Sequence, residues 1–214
     1  MDEQARHAAF MSALVTEHFV LQSAASTTVS EAGSRASLYV FSLSSSLIAM
    51  GFTAETDAFP TFVAALLPAL FVLGWFTVVR LVDTSVGSYR VQEAIAHIRG
   101  YYRQLTPEAR YYFPSWQSTD EEAAEALAML GSKPRRSTVL FTSAGMVAAI
   151  NSLVGGVGVA LLTNQVLDQT SDLPAILAGS VFTLACLGVA SAYQLRRYSA
   201  TAAQETRRWA ADRT

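Results

Sequence analysis

Residues 138–163 read TVLFTSAGMVAAINSLVGGVGVALLT. No Asp, Glu, Lys, Arg or His interrupts this stretch, which is longer than the ~20 apolar residues a helix needs to cross ~30 Å of hydrocarbon. Within it Ala144, Ala148, Ser152, Gly156 and Ala160 recur every four residues and line one helix face. In lipid, packing drives helix association, and a face of small side chains lets two backbones approach closely. Such a face serves either packing within one chain or an interface between subunits. Asn151 lies mid-span beside it, where a buried amide needs a partner. A neighbouring helix can supply one, or the amide can join a polar ring in a pore. Gly155, Gly156 and Gly158 permit a bend.

Three further apolar runs occupy roughly 37–53, 60–81 and 173–194. The whole chain of 214 residues is 51% hydrophobic and only 15% charged, with a mean hydropathy of +0.30, beyond what an ordinary soluble domain shows. The expected fold is an all-α integral membrane protein with four transmembrane helices. Nothing at the start reads as a cleaved signal peptide. The divisions expected are a cytoplasmic N-terminal helix at 1–36, a first membrane pair at 37–82, a cytoplasmic helical segment at 83–137, a second pair at 138–194 and a cytoplasmic helix at 195–214.

Charge orients this arrangement. The links between runs one and two and between runs three and four hold no Lys or Arg, only Glu55, Asp57, Asp168 and Asp172. Basic residues sit in the arm (Arg6, Arg35), in the central segment and its margins (Arg80 to Arg136) and in the tail (Arg196 to Arg213). Basic residues resist translocation and are held by anionic inner-leaflet lipid, so both termini are expected in the cytoplasm. Fourteen Arg against one Lys suggest a GC-rich bacterial genome and hence a bacterial inner membrane.

The extramembrane segments carry helical signals. Phe10, Leu14, Leu21, Ala25 and Thr28 recur near helical spacing in the arm, with a kink expected near Gly33. Val91, Ile95, Ile98, Tyr102 and Leu105 follow steps of four and three, a narrow seam suited to helix pairing. Thr106-Pro107-Glu108 reads as a helix start, and a short helix is expected from Ser118 to Leu130.

Candidate functional residues follow from these placements. Ser42, Ser45, Ala49 and Thr53 share a face of the first span. With Asn151 they are the candidate pore lining, though hydroxyls can also bond back to their own helix. Pro68 marks a kink that is either structural or part of a gate. Glu55, Asp57, Asp168 and Asp172 would form an acidic outer vestibule if copies gathered round an axis; otherwise they populate loops from which basic residues are excluded. Arg99, Arg103 and Arg110, interleaved with tyrosines, together with Arg135 and Arg136, are candidate ligands for an anion. Inner-leaflet headgroups explain the same texture.

No Asp, Glu, Lys, Arg or His lies deep in a span, which argues against proton-coupled transport and voltage sensing. No phosphate loop, GxSxG or metal-ligand spacing occurs, and Cys186 is the sole cysteine. No enzyme activity, cofactor or metal is expected.

Four spans, both termini inside, helical cytoplasmic extensions and the text Glu31-Ala32-Gly33-Ser34-Arg35-Ala36-Ser37-Leu38-Tyr39 entering the first span resemble the small four-helix membrane effectors of bacterial phage defence, including the channel component of Hailong-type systems. The resemblance implies a homo-oligomeric ion channel held closed by the signal of a cognate nucleotidyltransferase and opened on infection. In Hailong-type systems that signal is a DNA oligomer, so a nucleotide or DNA-oligomer ligand is implied here. The other readings are a small transporter or transporter subunit, and a non-conducting membrane scaffold for a cytoplasmic partner.

Overall fold

The computed structural model describes residues 2–113, 142–167 and 172–211, all helix or short turn, with no strand among them. The elements are α1 (Glu3–Thr53), α2 (Phe59–Arg103), α3 (Ala109–Tyr112), α4 (Ser143–Leu167) and α5 (Leu173–Ala211). Four of them, α1, α2, α4 and α5, are long and apolar enough to cross a membrane.

Local chemistry explains the ends. α1 closes at Thr53, whose carbonyl accepts from the Thr56 amide (2.9 Å) and hydroxyl (2.7 Å); Thr56 in turn accepts from the Phe59 amide that opens α2. Pro60 and Pro174 stand in the first turns of α2 and α5, where a missing amide hydrogen is harmless. The Thr142 hydroxyl caps α4 by accepting from Gly145 (3.0 Å). Thr106 accepts from Ala109 as the sequence suggests, but the helix it opens is a single turn.

The expected divisions at 36/37 and 82/83 are not breaks in secondary structure: α1 and α2 run through them. Gly33 is likewise interior to α1, and a Cβ there would meet nothing within 4 Å. Pro68 is carried inside α2. The third span is helical from Ser143 to Leu167, and the expected start at 138 lies outside the described residues. The helix expected from Ser118 to Leu130 lies outside the described residues.

The chain divides into two compact units, one within Met1–Glu31 and Thr84–Thr138, the other within Ala32–Asp83 and Val139–Thr214. In the first, Val86 and Ile98 are buried. Val91, Ile95 and Tyr102 are half-buried as their spacing predicts, while Leu105, beyond the end of α2, is exposed. On α1 the half-buried register is Met11, Leu14, His18, Leu21, Ala25 and Thr28. Phe10 instead lies half out and meets Tyr101 edge-on, ring centroids 5.4 Å apart.

The second unit has its core at Ala36 and Tyr39 of α1, Val78, Leu81 and Val82 of α2, Ala144, Val147 and Ala148 of α4, and Ala190 of α5. Unlike a water-soluble bundle, it is apolar outside as well as within: Phe76, Leu153, Val181 and Leu184 are each more than 60% exposed, and Asn151, Ser152 and Gln194 are buried beside the apolar core. An apolar exterior is the distribution hydrocarbon solvent favours.

Candidate functional site

The small-residue stripe of α4 is spent inside the chain. Ala144, Ala148, Ser152 and Gly156 are buried and Ala160 is half-buried. Gly156 and Gly179 mark the closest approach of α4 and α5. A Cβ at 156 would lie 2.7 Å from the Gly179 carbonyl oxygen, and one at 179 would lie 2.6 Å from that of Gly156. A side chain on either would force the facing backbone to shift, so the crossing favours glycine on both helices. Of the two readings of this stripe, packing within one chain is the one these contacts favour.

Asn151 and Ser152 then tie α4 to its three neighbours. The Tyr39 hydroxyl of α1 donates to Asn151 Oδ1 (3.1 Å), and Asn151 Nδ2 donates to the Phe71 carbonyl of α2 (3.1 Å). The amide lies flat against α2 because residue 74 is glycine; a Cβ there would sit 2.1 Å from Asn151 Oδ1. Ser152 donates to Ala148 of its own helix (2.7 Å), and its carbonyl accepts from Thr183 of α5 (3.3 Å). Two adjacent residues thus connect α4 with α1, α2 and α5. In low dielectric a satisfied polar junction fixes the relative placement of helices, because each alternative leaves a group unpaired.

Asn151, the candidate pore residue of α4, is therefore buried within a single chain. At 3% exposure, with both ends of its amide engaged, it does not face a water path. The other candidate pore residues do not meet it. Ser42 is half-buried and donates to the Leu38 carbonyl (2.8 Å); Thr53 is half-buried and donates to Ala49 (3.1 Å). Ala49 is half-buried, and Ser45 lies on the exposed side. The hydroxyl face of α1 is thus partly closed by its own backbone, and it splits between two surfaces.

Among the candidate vestibule acids, Glu55 and Asp57 are exposed in the α1–α2 turn and Asp172 is exposed just before α5; Asp168 lies outside the described residues. Among the candidate anion ligands, Arg99 and Arg103 are half-buried in the first unit. Arg103 Nε and the neighbouring Tyr102 hydroxyl are buried with no hydrogen-bond partner among the described residues. Nothing is described of the Arg110 side chain, and Arg135 and Arg136 lie outside the described residues.

Three polar features escape the sequence reading. Tyr39 is the hydroxyl partner of Asn151, and its signal is a lone tyrosine within an apolar run. Gln194 is 2% exposed with a buried Oε1 that lacks a partner among the described residues. Asp83 and Arg197, just past the second and fourth runs, form an ion pair. Their signal is opposite charge at the same ends of neighbouring spans. The chain matches no protein-family model, no curated protein and no solved structure.

Proposed function

We propose that this is a multi-pass protein of a bacterial inner membrane, with both termini in the cytoplasm, whose copies assemble into a gated ion channel. The observation that carries the reading is the unequal use of the four helices. Most of the apolar stretch of α1 is uncovered within one chain, 6% of it being buried against 39% in α4. The junction at Asn151 and the crossing of α4 with α5 fill the interior of the second unit. A route for ions then lies between chains, with α1 and its exposed Ser44 and Ser45 as the available wall. Exposed acids in the outer turn would draw cations toward it.

A secondary transporter is less well supported. Such proteins bind substrate at broken helices near the bilayer midplane, whereas α4 is continuous from Ser143 to Leu167. The likeness to Hailong-type effectors supports a role in phage defence without enzyme chemistry of its own, in which opening depolarises the cell. Orphaned polar atoms at Tyr102 and Arg103 support an anionic regulator, a nucleotide or DNA oligomer supplied by a nucleotidyltransferase.

Purified protein in planar bilayers is expected to carry discrete currents, and unregulated expression to collapse membrane potential. A folded, correctly inserted protein that stays electrically silent and leaves the potential intact would favour the scaffold reading. Saturable uptake of a solute without such currents would favour a transporter.

A further inference from the structure

The second unit buries three polar side chains among the described residues, Asn151, Ser152 and Gln194. Asn151 bonds to α1 and α2, and Ser152 bonds back to its own helix. Gln194 is 2% exposed, and its Oε1 is shut off from solvent with no hydrogen-bond partner among the described residues. No water or small ligand fits against that oxygen in this packing, so a donor reaches it only if the packing changes. A Leu or Met would fill the same space without the cost of an unpaired acceptor, so packing does not account for the amide. Its place defines the change. Gln194 follows Ala190, the α5 member of the core, by one helical turn, and Arg197 follows Gln194 by three residues on a neighbouring face. Arg197 pairs with Asp83, the last α2 residue of the unit. The ion pair thus spans α2 and α5 at the edge of the unit, about one turn beyond the buried amide. Its side chains are 49% and 36% exposed, so water already reaches it.

We propose that Gln194 and the Asp83–Arg197 pair form an opening device at this end of α5: the pair holds α5 against α2, and the unpaired amide favours the displaced position. An acceptor left unpaired in a low-dielectric interior costs more than a half-exposed ion pair contributes. Moving the end of α5 away from α2 by one layer of water gives Oε1 a donor from solvent and breaks the ion pair, so the two effects oppose one another. The apolar contacts of Ala190 lie one turn deeper and stay closed. The movement is thereby confined to the end of the helix, a local opening rather than a loss of the fold. Whatever competes for Asp83 or Arg197 releases it. The inference goes beyond the channel reading and does not use conduction.

Both halves of the device are tested in full-length protein. In permeabilised native membranes, with Cys186→Ser as background, Gln194→Cys is expected to react slowly with a charged, membrane-impermeant maleimide. Adding Asp83→Asn is expected to speed that reaction about two- to five-fold, the change in open population that loss of a half-exposed ion pair makes. Ala148→Cys, buried in the same core on α4, is expected to keep its rate when Asp83→Asn is added. An unchanged rate at 194, or equal acceleration at 148, overturns the proposal. In the second arm, Gln194→Met in otherwise wild-type protein removes the unpaired group and keeps the bulk. It is expected to raise the SDS concentration at which the protein unfolds, whereas removing the paired amide of Asn151 lowers it. An unchanged or lowered midpoint for Gln194→Met means that the amide already has its partner in the resting packing, and this too overturns the proposal.

Discussion

α4 and α1 are both apolar helices, yet they are used in opposite ways. α4 reaches each of the other three helices of its unit from Asn151 and Ser152, and its every-fourth small residues are buried from Ala144 to Gly156, while Leu153, Val157 and Leu161 are among its exposed positions. α1 contributes two buried residues, Ala36 and Tyr39, and exposes Phe41, Leu47, Ile48 and Phe52 beyond them. Hydropathy does not separate a central helix from a peripheral one. Side-chain size at every fourth position does, because only small residues let several neighbours converge on one rod.

The contrast can be broken most severely at Gly156. Gly156→Leu is expected to abolish folded protein, because a branched side chain would have to displace the Gly179 backbone. Gly156→Ala should cost about 1–3 kcal/mol, as overpacking does elsewhere. Recovery of a monodisperse particle in detergent reads the first, and unfolding in SDS titration the second. Wild-type yield for the Leu variant would mean that α4 and α5 do not cross there.

Asn151→Leu comes next. Interhelical hydrogen bonds in membranes average ~0.6 kcal/mol and reach ~1.7. Losing two of them and orphaning the Tyr39 hydroxyl should cost about 1–3 kcal/mol in the same titration. In the proposed channel, conductance should stay unchanged, because the amide is buried with both ends engaged. A changed conductance at wild-type stability would return Asn151 to the pore and undo the distinction between the helices.

Asp83→Asn should have a smaller effect. The ion pair with Arg197 is only partly covered, its side chains being 36% and 49% exposed, so about 0.2–1 kcal/mol is expected. The loss should shrink as salt rises in the unfolding assay.

The mildest change sharpens the contrast from the other side. A Cβ at Gly51 of α1 meets nothing within 4 Å. Gly51→Ala should therefore leave stability unchanged or raise it by about 0.5–1 kcal/mol through helix propensity alone. A loss there would show that α1 is covered where a single chain leaves it bare.

Much of the fold was legible because its signals are local. Runs of apolar residues mark the four long helices, and the step-of-four pattern at Ala144 to Ala160 marks a packing face. What that face packs against was not legible. Gly179, opposite Gly156, contributes only backbone, and a bare glycine leaves no pattern in its own helix. Asn151 announced that it needs a partner, but Tyr39 and Phe71 stand 112 and 80 positions earlier, and no local rule pairs them. The serines of α1 are ambiguous for a different reason. A hydroxyl that bonds its own preceding turn is polar in composition and much less so in surface, as Ser42 shows with Leu38.

Those long separations also impose a schedule on synthesis. α1 and α2 are translated well before Asn151, so the Tyr39 hydroxyl waits without its acceptor. Only arrival of the third rod closes the latch. A chain stopped ahead of α4 keeps that hydroxyl without the acceptor it has in the finished fold.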